Sequence, residues 1–271
     1  MGGWWSSGAR WGISMNRREW GAWLALGMAC TSGCARVPVD RVTLQVDLPA
    51  NFRVKSAANY SPATGESCTL PWRRGKRPER KIFSVPYNPT ASRVTQELPL
   101  TETVEGCPLV LRSVEFDFYA RWGVRDTDVG ADMAAIYIQD RAGVERPESG
   151  APELKGRCQW LFRTLGSQHA IRKILKCNAL DNEGQPQGAP AGGVVPRNRL
   201  PGNTLRLVLE VANEEKPYMG NTWVRVPQGW KRCQGKNMDD QYGFCTKGAA
   251  HFRPFKMPDG RECTVYPTCT E

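Results

Sequence analysis

The chemistry-bearing residues of this chain are mostly thiols: ten Cys, against only two His, His169 and His251. Thiols can ligate metal, attack electrophiles or oxidise in pairs. No Cys-x-x-Cys occurs and neither His is spaced with the Cys, which argues against zinc. So few imidazoles also narrow acid–base work near neutral pH. No G-x-S-x-G, S-x-x-K or H-E-x-x-H stands in a convincing context. Asp126, Asp128 and Asp132, around Gly130, look like a fragment of a calcium loop, but Tyr137 holds the position where a bidentate Glu is needed. A turn with solvated carboxylates is the expectation. Glu115 and Asp117 could serve a glycosidase in principle, yet their spacing puts both on the outward face of a strand. The reading is therefore of a chain with no catalytic residue, metal or cofactor.

Binding chemistry is better represented. Arg73, Arg74, Lys76, Arg77, Arg80 and Lys81 follow Trp72 within ten residues, a candidate anion- or partner-binding segment. In the cytoplasm such a run would suit nucleic acid. Outside it, the available anions are lipid head groups, lipopolysaccharide phosphates or an acidic protein. The alternative is a solvated loop between strands. The net charge of +10 points the same way, and it would speed encounter with an acidic partner more than it would set affinity. Tyr218 to Trp230, YMGNTWVRVPQGW, is dense enough in aromatics to form a binding face. Core packing is the competing and stronger expectation.

The elements that must position these residues are strands. Val42, Leu44, Val46 and Leu48 alternate with polar residues, as do Val110 to Trp122 and Leu205 to Val211. Residues 52–60, 81–87, 92–98 and 131–139 are further strands, the last also readable as a short helix. Arg157 to Thr164 and Ala170 to Cys177 form a hairpin about Gly166-Ser167-Gln168. That hairpin sets Cys158 opposite Cys177, with Cys158, Trp160 and Phe162 facing Ile171, Leu175 and Cys177, and so predicts a Cys158–Cys177 disulfide. Pro258-Asp259-Gly260 marks a last hairpin. The 27 Gly and 20 Pro imply long loops, above all at 181–202. The expected fold is mostly β: an antiparallel β-sandwich over 35–142, a disulfide hairpin with Pro/Gly-rich loops over 143–202, and a disulfide-rich β region over 203–271. The hairpin and the last region form a second module or extend the first.

Residues 1–34 read as a signal sequence. Met15-Asn16-Arg17-Arg18 makes a better start than Met1, and Trp20 to Ala29 is an uncharged run of h-region length. Thr31-Ser32-Gly33-Cys34 then resembles the lipobox of bacterial lipoproteins, although Thr31 stands where Leu is usual. The resemblance implies lipidation at Cys34 and a membrane anchor through that lipid; Ala35, rather than Asp, after it implies the periplasmic side of the outer membrane. Cleavage after Gly27-Met28-Ala29 is the plainer alternative. The leader carries +2, leaving +8 on the rest.

Setting aside Cys30 and Cys34 leaves eight Cys, an even number in an exported chain. Proximity suggests Cys68–Cys107, Cys233–Cys245 and Cys263–Cys269 beside Cys158–Cys177, though the last four could pair otherwise. The function these readings favour is a lipid-anchored periplasmic protein that binds another protein, an immunity-type inhibitor of a secreted toxin being one form of it, by analogy of class and location. The alternatives are an envelope-structural lipoprotein binding anionic glycolipid or cell-wall material, and a hydrolase with an unfamiliar site. Neither nucleic acid nor a small-molecule substrate is expected.

Overall fold

The computed structural model describes residues 40–71, 79–140, 151–235, 240, 242–246 and 251–270. The leader with Cys34, and Arg73, Arg74, Lys76 and Arg77 of the basic segment, lie outside these residues. The described chain is strand throughout, apart from a 3-10 turn at Arg197–Arg199 and the loops.

Alternation converts directly into two apolar sheet faces. In β1 (Arg41–Leu48), Val42, Leu44, Val46 and Leu48 are all buried. β2 (Phe52–Pro62), β3 (Arg80–Asn88), β4 (Ser92–Pro99) and β5 (Thr101–Val104) lead to the long β6 (Cys107–Arg121). There Val114, Phe116, Phe118 and Ala120 point inward. β7 (Val129–Gln139), β8 (Glu153–Leu165), β9 (Ala170–Leu180), β10 (Pro186–Pro190), β11 (Gly192–Pro196) and β12 (Thr204–Val211) complete the main body. One sheet runs β11-β7-β6-β2-β3, with β5 on β6. The other runs β9-β8-β12-β1-β4, with β10 on β9, and continues past β9 into the short strands Phe255–Lys256 and Glu262–Cys263. Their inner faces share one core, which reaches from Val42 and Leu207 on one side to Phe118 and Ile136 on the other. The facing sheets pack tightly at Gly130, where a Cβ would lie 2.5 Å from the Trp160 ring.

The sheets are mixed rather than purely antiparallel. β12 lies between β1 and β8 and is parallel to both, and β11 is parallel to β7. Alternation specifies a buried face but not a strand's direction. β1 and β12 are far apart in sequence, so the intervening chain decides from which end β12 enters. The main body thus draws strands from all three sequence segments. Residues 181–202, read from sequence as loop, contain β10 and β11. Gly192, with φ 110°, brings β11 so close that a Cβ would sit 2.0 Å from the Ala135 carbonyl oxygen.

The outer face of the β4-β1-β12-β8 sheet is an ion-pair ladder. Arg93 Nε donates to Asp47 at 2.5 Å, Arg206 bridges Asp47 and Glu153, and Arg157 pairs with Glu210. Arg93, foremost through its hydrogen bond, and Arg206 hold the Asp47 carboxyl below the usual carboxylate range against burial.

Beyond Val211 the chain builds a smaller module on the far end of the β8–β9 hairpin. β13 (Lys216–Pro217) runs parallel to β8. β14 (Trp223–Val226) and β15 (Gly229–Arg232) form a hairpin, and β16 (Phe255–Lys256) and β17 (Glu262–Cys263) form another across Pro258-Asp259-Gly260. β18 (Tyr266–Pro267) pairs with β15. Phe162 of β8 anchors this module. Its ring lies 4.2 Å from Tyr266 and 5.0 Å from Trp223, and Phe255, Ile171, Cys263 and Cys269 close the cluster.

Four disulfides staple the fold: Cys68–Cys107, Cys158–Cys177, Cys233–Cys245 and Cys263–Cys269. Cys158 and Cys177 face each other in the β8–β9 register, with Cα atoms 3.9 Å apart.

Candidate binding sites of the terminal module

Two concavities open where the terminal module meets the β8–β9 hairpin. The first is a cleft of about 600 Å³. Its walls include Trp122, at the end of β6, Trp230 of β15, Met257 and Tyr266. Trp122 Nε1 is buried without an acceptor. Ion pairs edge the cleft: Lys173 Nζ reaches Glu215 at 2.5 Å, and Arg225 pairs with Glu214. The Arg225 guanidinium also lies 5.0 Å from the Trp230 ring centroid. Tyr266 is 2% exposed and its hydroxyl donates to Glu215; burial first, then the Glu215 charge, pushes its pKa far up. Tyr266 is therefore a neutral donor that fixes Glu215, leaving the cleft lined by apolar rings with balanced charges at its edge. Gly229 shapes its floor: φ is 145° and a Cβ would lie 1.9 Å from the Tyr266 carbonyl oxygen.

The second is a cavity of about 320 Å³ lined by Arg163, His169, Arg232, Asp240 and Arg253 among others. Burial and the charges of Arg232 and Arg253 hold the His169 pKa below its ordinary value. His169 lies in the β8–β9 turn, as its position in sequence implied, but lines this cavity and is only partly exposed. His251 is exposed, its carbonyl accepting the Gln234 N–H at 3.1 Å.

The aromatic segment divides between core and surface. Trp223 is 4% exposed, stacked edge-on to Phe162 and Phe255. Tyr218 and Met219 line the arginine cavity, and Trp230 lines the cleft. Of the basic segment, Arg80 pairs with Glu115 at 3.1 Å, and Lys81 pairs with Glu102 and faces the Tyr60 ring. Those two cations are thus engaged within the sheet.

The three aspartates around Gly130 do not converge. Asp132 accepts the Cys177 N–H at 2.6 Å. Asp128 is not solvated as expected but fully buried: it accepts from the Arg125 backbone N–H at 3.1 Å and from its guanidinium at 2.7 Å. Asp126 is exposed, 3.6 Å from Arg121. Gly123 leaves room for this turn, since a Cβ there would meet Asp128 Oδ2 at 2.5 Å. The Arg125 hydrogen bond outweighs burial and holds the Asp128 carboxyl below the carboxylate range. Asp128→Asn should therefore cost about 2 kcal/mol in urea unfolding at neutral pH. A depressed folded-state pKa stabilises above the unfolded value and is lost as pH falls through the folded one. The gap to wild type should shrink on acidification below about pH 4.

No described group of three His, Cys, Asp or Glu side chains is placed to hold a metal ion. Comparison with protein-family models, curated proteins and solved structures returns no match.

Proposed function

We propose that this chain is a lipid-anchored envelope protein, held at the periplasmic side of the outer membrane through Cys34, that binds another protein through the aromatic cleft. The carrying observation is the cleft itself: Trp122, Trp230, Met257 and Tyr266 around about 600 Å³, edged by paired charges, in a rigid disulfide-stapled frame. Half-buried Trp rings lining a cleft with Arg at its edge have the chemistry of interface hot spots. Four disulfides suit an oxidising compartment, in agreement with the lipobox-like TSGC. Inhibition of a toxin delivered into the periplasm is the form of this function to test first, with the product of a neighbouring toxin-like gene as the probe.

A photo-crosslinking residue at Gln228, an exposed member of the cleft wall, should capture one protein in the intact envelope. The same residue at Glu210, on the ion-pair face, should not. Gln228→Trp, which fills the cleft mouth, should weaken that partner's binding by tenfold or more without unfolding the chain. Crosslinks from Gln228 only to glycan or lipid would refute the reading. The rival reading is anionic glycolipid held by the basic segment; of its cations Arg80 and Lys81 are described, and they pair with Glu115 and Glu102.

A further inference from the structure

We propose that the cavity lined by Arg163, Arg232 and Arg253 is a binding site for a phosphate group. It is separate from the aromatic cleft and does not depend on the protein-binding reading. Three segments distant in sequence bring the cations together. Arg163 lies on β8, beside Thr164, whose Oγ1 accepts from Arg232 Nε at 3.0 Å. Arg232 closes β15, and its carbonyl accepts the Arg253 N–H at 3.0 Å. The adjacent Cys233 is tied to Cys245.

Arg232 is only 2% exposed, an unusual place for a guanidinium. Gly243 packs over it, so that a Cβ there would lie 3.2 Å from Nη2. Its Nη1 has no acceptor, and neither does Arg163 Nε, although both atoms are buried. Two unmet guanidinium donors beside one cavity are costly in the absence of an acceptor.

Asp240 is the acidic residue of the lining, and its carboxylate already accepts the N–H groups of Tyr242, Gly243 and Phe244. Among the described residues, the lining therefore offers guanidinium donors to an anion, with the buried Arg232 Nη1 and Arg163 Nε still without an acceptor. Guanidinium forks also fit phosphate oxygens with paired hydrogen bonds. Tyr218, with Arg163 5.5 Å from its ring centroid, supplies an apolar wall for whatever carries the phosphate. Burial first, then the Arg232 and Arg253 charges, holds the His169 pKa down.

The test is calorimetric titration of the full chain with inorganic phosphate. Wild type should bind one equivalent with Kd below about 1 mM. Arg163→Gln and Arg253→Gln should each weaken binding tenfold or more while keeping the native circular dichroism, and Arg232→Gln should remove it. Gln228→Trp, in the cleft, should leave it unchanged, which separates this site from the protein-binding surface. Vesicles of phosphatidylcholine with phosphatidic acid distinguish the source. Competition with inorganic phosphate supports a lipid head group, and inorganic phosphate binding without competition supports a soluble phosphate; both keep the site. Absence of saturable phosphate binding, equal binding by wild type and Arg163→Gln, or acetate binding as tight as phosphate would overturn it.

Discussion

Phe162→Ala is expected to cost about 3–5 kcal/mol and to loosen the terminal module before the main body. Phe162 is fully buried, and its ring meets Trp223, Trp230 and Tyr266 with centroids 5.0, 6.1 and 4.2 Å away. β14, β15 and β18 form a sheet of their own, without a backbone ladder to either large sheet. Removing this one ring leaves a cavity among aromatics that hold each other in place. The near-ultraviolet circular dichroism of the Trp and Tyr cluster should collapse, while amide exchange in β1, β6 and β12 stays protected. Exchange rising equally in both regions would mean that the two cores unfold as one. Because Trp230 and Tyr266 line the aromatic cleft, the same substitution should also abolish partner binding.

The Cys158→Ala/Cys177→Ala double variant should lose about 3 kcal/mol. Both sulfurs are fully buried in the main core, and the bridge closes the β8–β9 hairpin 19 residues apart in sequence. That hairpin contributes to both cores, through Trp160 and Leu175 to one and Phe162 and Ile171 to the other. Reductant should then destabilise the double variant less than wild type in a urea titration. Equal sensitivity would assign the stabilisation to the other three bridges. The physical basis is restriction of the unfolded chain, so the folded-state contacts of β8 and β9 should survive in the variant.

The long strands are legible because a half-buried strand leaves a mark of period two: Val42 to Leu48, Val114 to Ala120 and Leu205 to Leu209 each place one face in the core. The β8–β9 register follows from the same mark together with the Gly166 turn, and so does Cys158 opposite Cys177. β11 leaves no such mark. Its close approach to β7 requires Gly192, and a five-residue strand is too short to alternate visibly. The parallel placing of β12 between β1 and β8 is likewise invisible locally, since direction depends on the chain crossing between sheets.

The binding sites are harder to read. Asp128 looks like one of several turn carboxylates, and only its complete burial against Arg125 distinguishes it. Arg163, Arg232 and Arg253 belong to no charge cluster in the sequence; pairing of β15 with its neighbours collects them. The aromatic density of Tyr218 to Trp230 is a usable signal, but Trp223 is core while Trp230 is half-buried: the β14–β15 register puts both on one face of the hairpin, with Trp230 opposite Arg225 at the cleft.

The proposed extracytoplasmic role requires oxidised sulfur and an acylated Cys34, and both can be read at once by non-reducing peptide mass spectrometry of natively produced protein. The account predicts a mature chain beginning at an acylated Cys34 and four linked peptide pairs, Cys68 with Cys107, Cys158 with Cys177, Cys233 with Cys245 and Cys263 with Cys269. A chain that retains residues 15–33 and alkylates freely at those Cys would contradict it.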